Sequence, residues 1–215
     1  MNRDIRPNTL LRESTVMTPS ASVIFEKLVT ALRIMDAEAL PVNGKPTGLN
    51  WYGGWARPDL KRPQTEVEWT KVLAKRLGCQ REIPYPSHPK KRCDLVVDRT
   101  CWIEVKGLWP AYWAAQGQRA IYEAYLFDPL KSSKLGKSHT AARDVIKLGG
   151  LLAKDAAVVG LVLVGFDSVR EPCNADISEF AQLAGLGSWW HGSAAWEDAQ
   201  MTGQMVKVWG WFHER

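Results

Sequence analysis

Hydrophobic positions in this 215-residue chain alternate between stretches of helical and of strand period. From Ser22 to Leu40, Ile24, Leu28, Leu32 and Met35 recur at helical spacing and predict an amphipathic helix capping the core. Thr65 to Leu77 predicts a second helix, stopped by Gly78, with Val67, Trp69, Val72, Leu73 and Leu77 on its apolar side. Arg81 to Tyr85 is a short strand, and Pro84, Pro86 and Pro89 mark it as an edge followed by a loop. Cys93 to Gly107, CDLVVDRTCWIEVKG, predicts two strands joined by a tight turn. From Thr140, Ala141, Val145, Leu148 and Leu152 form a helical stripe that Gly149-Gly150 weakens. Val158 to Phe166, VVGLVLVGF, is almost wholly apolar, so it predicts a central strand beside the hairpin, buried on both faces. Asp176 to Leu186 predicts a helix, followed by a Gly-, Ser- and Trp-rich loop and a last strand, Met205 to His213. Residues 1–19 are a polar arm, the segment from Pro41 to Pro63 a Gly-, Pro- and aromatic-rich loop, and Ile121, Ala124 and Tyr125 suggest a helical turn before a loop, Asp128 to Ser138.

Three charges interrupt the apolar hairpin: Asp94 opens its first strand, and Glu104 and Lys106 close its second. Strand alternation aims Glu104 and Lys106 one way, Ile103 and Val105 the other. A three-residue loop, Asp98 to Thr100, sets Asp94 across from Glu104, whereas a two-residue loop separates them onto opposite faces. Two carboxylates about 5 Å apart repel by roughly 3 kcal/mol at an effective dielectric near 20, about two pKa units. Lys106 offsets part of that, and a hard divalent cation would offset the rest. An ion pair at a sheet edge with a solvated Asp is the plainer alternative.

Net charge is +5, and the basic residues cluster: Lys61 and Arg62, then Lys90, Lys91 and Arg92 directly before Asp94, then Lys131, Lys134 and Lys137. The second cluster adjoins the carboxylates, where phosphate contacts would be needed. Trp51, Tyr52 and Trp55 offer base stacking or a loop plug, and with eleven tryptophans in the chain packing explains most of them. Cys79, Cys93, Cys101 and Cys173 lack C-x-x-C spacing, which predicts free thiols without zinc. No apolar run reaches the roughly 18 residues of a membrane span and the N-terminus lacks a signal-peptide core, which predicts a cytoplasmic protein without a membrane partner. A Gly-rich phosphate loop, G-x-S-x-G and H-E-x-x-H are all absent, and His139, His191 and His213 are scattered.

Asp94, nine residues, then Glu104-Val105-Lys106 at the end of an apolar strand resembles the PD-(D/E)XK nuclease superfamily, the restriction-endonuclease-like fold. Cys93 stands where the family's usual Pro would precede the Asp. The order of predicted elements from about Thr65 to Asp167 matches the family's αβββαβ core, a central mixed sheet flanked by helices. On that basis residues 1–62 are an N-terminal arm, helix and aromatic loop, 63–170 the nuclease-like core, and 171–215 a helix-and-strand extension of the same domain.

The resemblance implies that Asp94 and Glu104 bind Mg²⁺, for which Mn²⁺ can substitute, and that Lys106 positions or activates the attacking water. DNA is the implied substrate with RNA as the alternative, cut by a monomer or a homodimer of restriction, repair or defence type. Lys90, Lys91, Arg92, Lys131 and Lys134 are the candidate nucleic-acid contacts. A rival reading keeps the fold as a non-catalytic nucleic-acid-binding or assembly module, although such members usually lose one of the three residues. The family often adds a third acid from the first core helix, with candidates Glu66, Glu68 and, on the next strand, Glu82. Glu66 lies within about 20° of the sheet-facing stripe, while Glu68 has capping-box spacing from Thr65. Glu66 is therefore the expected outer metal ligand.

Overall fold

A computed structural model describes residues 19–38, 41–42, 45–46, 66–108, 140–151, 156–168, 174–199 and 204–214. Helix α1 (Ala21–Ala37) is followed by two short strands, β1 (Pro41–Val42) and β2 (Lys45–Pro46), paired with each other. Then come α2 (Glu66–Leu77), β3 (Gln80–Tyr85), β4 (His88–Val97) and β5 (Cys101–Leu108), then α3 (Ala141–Leu151) and β6 (Val158–Ser168). Helix α4 (Asn174–Leu183), one 3₁₀ turn (Leu186–Ser188), β7 (Trp190–Glu197) and β8 (Gln204–Glu214) complete the described elements. The six larger strands form one mixed sheet in the order β3-β4-β5-β6-β8-β7, in which only β5 and β6 run parallel.

Helices cover both faces of this sheet. The apolar residues of α1 and α2 pack with Leu95, Ile103, Val105, Val162 and Phe212 on one face. Those of α3 and α4 pack with Val96, Trp102, Leu108, Leu161 and Trp211 on the other. The expected stripe of α1, Ile24, Leu28, Leu32 and Met35, is at most 3% exposed. Strand β6 is buried on both faces, as its unbroken apolar run requires. Its Gly160 is forced by packing, since a Cβ there would lie 2.4 Å from Phe212 Cε1.

Two local structures set the hairpin. Helix α2 ends at Gly78, whose φ of +64° is left-handed, and the Cys79 N–H returns to the Ala74 carbonyl at 3.0 Å. That is a Schellman closure, and it turns the chain into β3. Between β4 and β5 the register runs Leu95↔Ile103, Val96↔Trp102, Val97↔Cys101, leaving the three-residue loop Asp98, Arg99, Thr100. Asp98 and Arg99 have φ of 48° and 62°, the sign pattern of a type I′ turn. Thr100 is the extra residue. Its N–H donates to the Val97 carbonyl at 3.2 Å, and its own carbonyl accepts from Ala157 and Val158 at 2.9 and 3.1 Å. The odd loop is thereby tied to the start of β6.

The structure corrects two expectations. The loop expected to carry Pro86 and Pro89 shrinks to the turn Pro86–Ser87, because β4 starts at His88 and pairs with Tyr85 there. The Gly-, Ser- and Trp-rich segment is largely strand β7, which exchanges an eight-residue ladder with β8. Its small residues read as a loop by composition, yet half-buried Gly192, Ala194 and Trp196 alternate with exposed His191, Ser193, Ala195 and Glu197. Pairing to a long neighbour overrides weak local propensity. Among the described residues no helix is long and apolar enough to cross a membrane.

Candidate active site

Alternation along β5 puts Ile103 and Val105 under α1 and α2, which leaves Glu104 and Lys106 to face α3. Both are buried, 2% and 5% exposed, and buried charges need partners. Asp94 follows the last β4–β5 pair in register, and its Oδ2 accepts the Val105 N–H at 2.8 Å, so a side chain extends the ladder. The loop has the expected three residues, and Asp94 lies near enough for its charge to act on Glu104.

Partners for Glu104 come from two elements that the motif does not include. Tyr85, at the end of β3 and stacked on Trp102, donates its hydroxyl to Glu104 Oε1. Lys147, on α3, donates to the same oxygen at 3.1 Å and also lies 2.6 Å from Asp144 Oδ1. Asp144 is 2% exposed, and its Oδ2, which has no hydrogen bond, sits 3.5 Å from the Lys106 ammonium. The result is a continuous array, Tyr85, Glu104, Lys147, Asp144, Lys106, with Asp94 alongside. Lys147 is thus a lysine in contact with Glu104 that the hairpin motif does not contain.

Electrostatics at this array are unbalanced. Burial first, then the Asp144 and Asp94 charges, push the Glu104 carboxyl well above the ordinary carboxylate range, against the opposing pull of Lys147 and the Tyr85 hydrogen bond. Burial, the Cys93 thiol and Glu104 hold the Tyr85 phenol protonated. Burial acts to lower the pKa of Lys147, but Asp144 and Glu104 outweigh it and keep the ammonium charged.

The remaining candidates fall as follows. Lys90, Lys91 and Arg92 are exposed on the first half of β4, and the Arg92 guanidinium donates to the Glu82 carbonyl at 2.7 Å. Glu82 lies between the pairs Arg81↔Leu95 and Ile83↔Cys93, the register position opposite Asp94, with a left-handed φ of 54°. A non-glycine residue in that conformation costs on the order of 1 kcal/mol, and such strain concentrates at functional sites. Glu66 opens α2, and the inward residues of that helix, Trp69, Leu73 and Ala74, pack on the sheet face across from Glu104. The side chains of Glu66 and Glu68 lie outside the described residues, as do Trp51, Tyr52, Trp55, Lys61, Arg62, Lys131, Lys134 and Lys137. Cys93 and Cys101 are buried free thiols and Cys79 a half-buried one.

Asp144 and Lys147 were legible in part. Asp144 is three residues after Ala141 and four before Leu148, inside the apolar stripe of its helix, and a carboxylate there demands a buried partner. Lys147 follows one turn later.

Among the described residues no group of three or more His, Cys, Asp and Glu is spaced to hold a metal ion. The donor chemistry nonetheless fits Mg²⁺, which prefers hard oxygens and needs only one or two protein carboxylates. Glu104 and Asp144 already share one cation, the Lys147 ammonium, at 3.1 and 2.6 Å. Glu104 and Asp144 are the pair that would hold it, with Asp94 beside them. Comparison of the chain with family models, with curated proteins and with solved structures finds no match in any of the three.

Proposed function

We propose that the chain is a Mg²⁺-dependent nuclease on a restriction-endonuclease-like fold, hydrolysing phosphodiester bonds of DNA. One observation carries the proposal: an odd-looped hairpin brings Asp94, bound to the Val105 N–H, near enough for its charge to act on Glu104, with Lys106 on the same strand as Glu104, within the order helix, strand, strand, strand, helix, strand. The burial and crowding that raise the Glu104 carboxyl add support, because buried carboxylates with strongly shifted pKa values cluster at functional sites.

When bound, Mg²⁺ would supply charge stabilisation at the scissile phosphate and a more acidic water. Asp94, fixed by the Val105 N–H, and Glu104, fixed by Tyr85, present oxygens in a set orientation. Lys106, buried against Asp144, is held as a positioned cation that orients the attacking water by donating to it. Exposed Lys90, Lys91 and Arg92 hold the phosphate backbone on the approach to Asp94.

A second reading, a non-catalytic nucleic-acid-binding or assembly module, draws on the two lysines that already neutralise most of the buried acid. Asp94→Asn and Glu104→Gln separate the two. Under the nuclease reading each variant loses at least about a hundredfold in Mg²⁺-dependent cleavage, about 2.7 kcal/mol, while binding DNA as the parent does in a mobility-shift assay. Parent and variants that bind alike and cleave nothing would establish the binding module.

A further inference from the structure

Within the proposed cation site, two lysines occupy unlike positions. The Lys106 side chain is 7% exposed, sealed between β5 and α3. That of Lys147 is 21% exposed, although it bridges carboxylates that are only 2% and 3% exposed. Its flank of α3 is open: Ile146 is 72% exposed, and a Cβ added at Gly149 or Gly150 would meet no atom within 4 Å. An ammonium on a flexible four-carbon stem can leave its carboxylates for water there without displacing packed atoms.

We infer that Lys147 is a tethered counter-cation that holds Glu104 and Asp144 together in the metal-free protein and is displaced when a divalent cation takes the same oxygens. This rests on the nuclease reading's metal site and adds a competitor built into the chain. The ammonium takes Glu104 Oε1 and Asp144 Oδ1 together, and a doubly charged ion cannot share those oxygens with it at hydrogen-bond range. Without such a counter-ion, Asp144 and Glu104 would face each other buried, a costly state that would open the site. Lys147 therefore keeps the site assembled and lowers its apparent affinity for the ion that replaces it. Asp144 becomes, by the same geometry, the carboxylate that α3 contributes.

The test is cation binding, read without turnover. Mg²⁺ and Ca²⁺ are titrated into the full chain, the Lys147→Met, Lys147→Arg and Asp144→Asn variants, and Glu104→Gln, with heat of binding and Tm as the readouts. Lys147→Met keeps the stem and removes the charge, so it should bind Mg²⁺ at least tenfold more tightly, with a lower metal-free Tm that the ion restores. Lys147→Arg keeps the charge and should bind no more tightly than the parent. Asp144→Asn and Glu104→Gln should each lose the ion. If the parent binds Mg²⁺ through Glu104 but Lys147→Met binds equally or more weakly, the counter-cation role is overturned and the nuclease reading stands. If no variant binds either ion at millimolar concentration, both fall. Should Lys147→Met not fold, Lys147→Gln at the same concentrations decides by the same criterion.

Discussion

Glu104 is the residue on which the energetics turn. Its folded-state pKa lies above the ordinary value of 4.5, because burial and two neighbouring carboxylates disfavour the charged form. Binding of a proton therefore favours the fold. The stabilising contribution is complete below the unfolded pKa and is lost as pH rises through the folded one. Glu104→Gln, which stays uncharged, should therefore melt higher than the parent at pH 8 in EDTA, by at least about 2 °C for a chain of this size. The gap should shrink as pH falls toward 4.5 and reverse in sign when Mg²⁺ is added. A variant melting at or below the parent at every pH in EDTA would show that Lys147 and Tyr85 compensate the carboxylate fully. Asp94, Glu104 and Lys106 were legible as charges inside an apolar hairpin. Tyr85 was not, because an aromatic at the end of an edge strand has no pattern that distinguishes a hydrogen-bond donor from a packed ring.

At the scale of elements, loop length does the work. A type I′ turn plus one residue makes the hairpin odd, and that register brings Asp94 to the Val105 N–H beside Glu104. Asp98 and Arg99 both hold positive φ without being glycine. Replacing them with Asn-Gly, the preferred pair for such a turn, should raise stability by roughly 1 kcal/mol and leave the cleavage rate as it is. Urea melts and a nicking assay on the same preparations check both halves. A slower enzyme would show that the loop touches the substrate. The α1 stripe, the α2 stop at Gly78 and the β6 run could be read because period and punctuation are local. Strand β7 could not, since its ladder depends on β8. Helix placement shows the same limit, because only the layer order reveals that α2 covers the face across from Glu104 and that α3, with Asp144, covers the near one.

Across the whole molecule, basic charge gathers where the proposed chemistry is. The exposed run Lys90, Lys91, Arg92 ends two residues before Asp94, so a duplex tracked by that strand passes the carboxylates. Alanine at all three should weaken DNA binding uniformly across sequences and reduce the slope of log affinity against log salt by about 2.7, on the basis of 0.9 per phosphate contact. An unchanged slope would remove these residues from the interface. The sheet that carries the hairpin has helices on both faces, and on the face of the array the flank of α3 beside Lys147 is exposed.

The most direct measurement is strand scission by the unmodified chain. Supercoiled plasmid, linear duplex and single-stranded RNA are incubated with the protein in Mg²⁺, in Ca²⁺ and in EDTA, with Asp94→Asn run in parallel. Nicked or linear DNA is expected in Mg²⁺ only, bound but intact DNA in Ca²⁺, whose looser coordination makes it a weaker acidifier of water, and bound but intact DNA throughout with Asp94→Asn. Cleavage that persists in EDTA or with Asp94→Asn, or intact DNA and RNA under every condition, would contradict the nuclease reading.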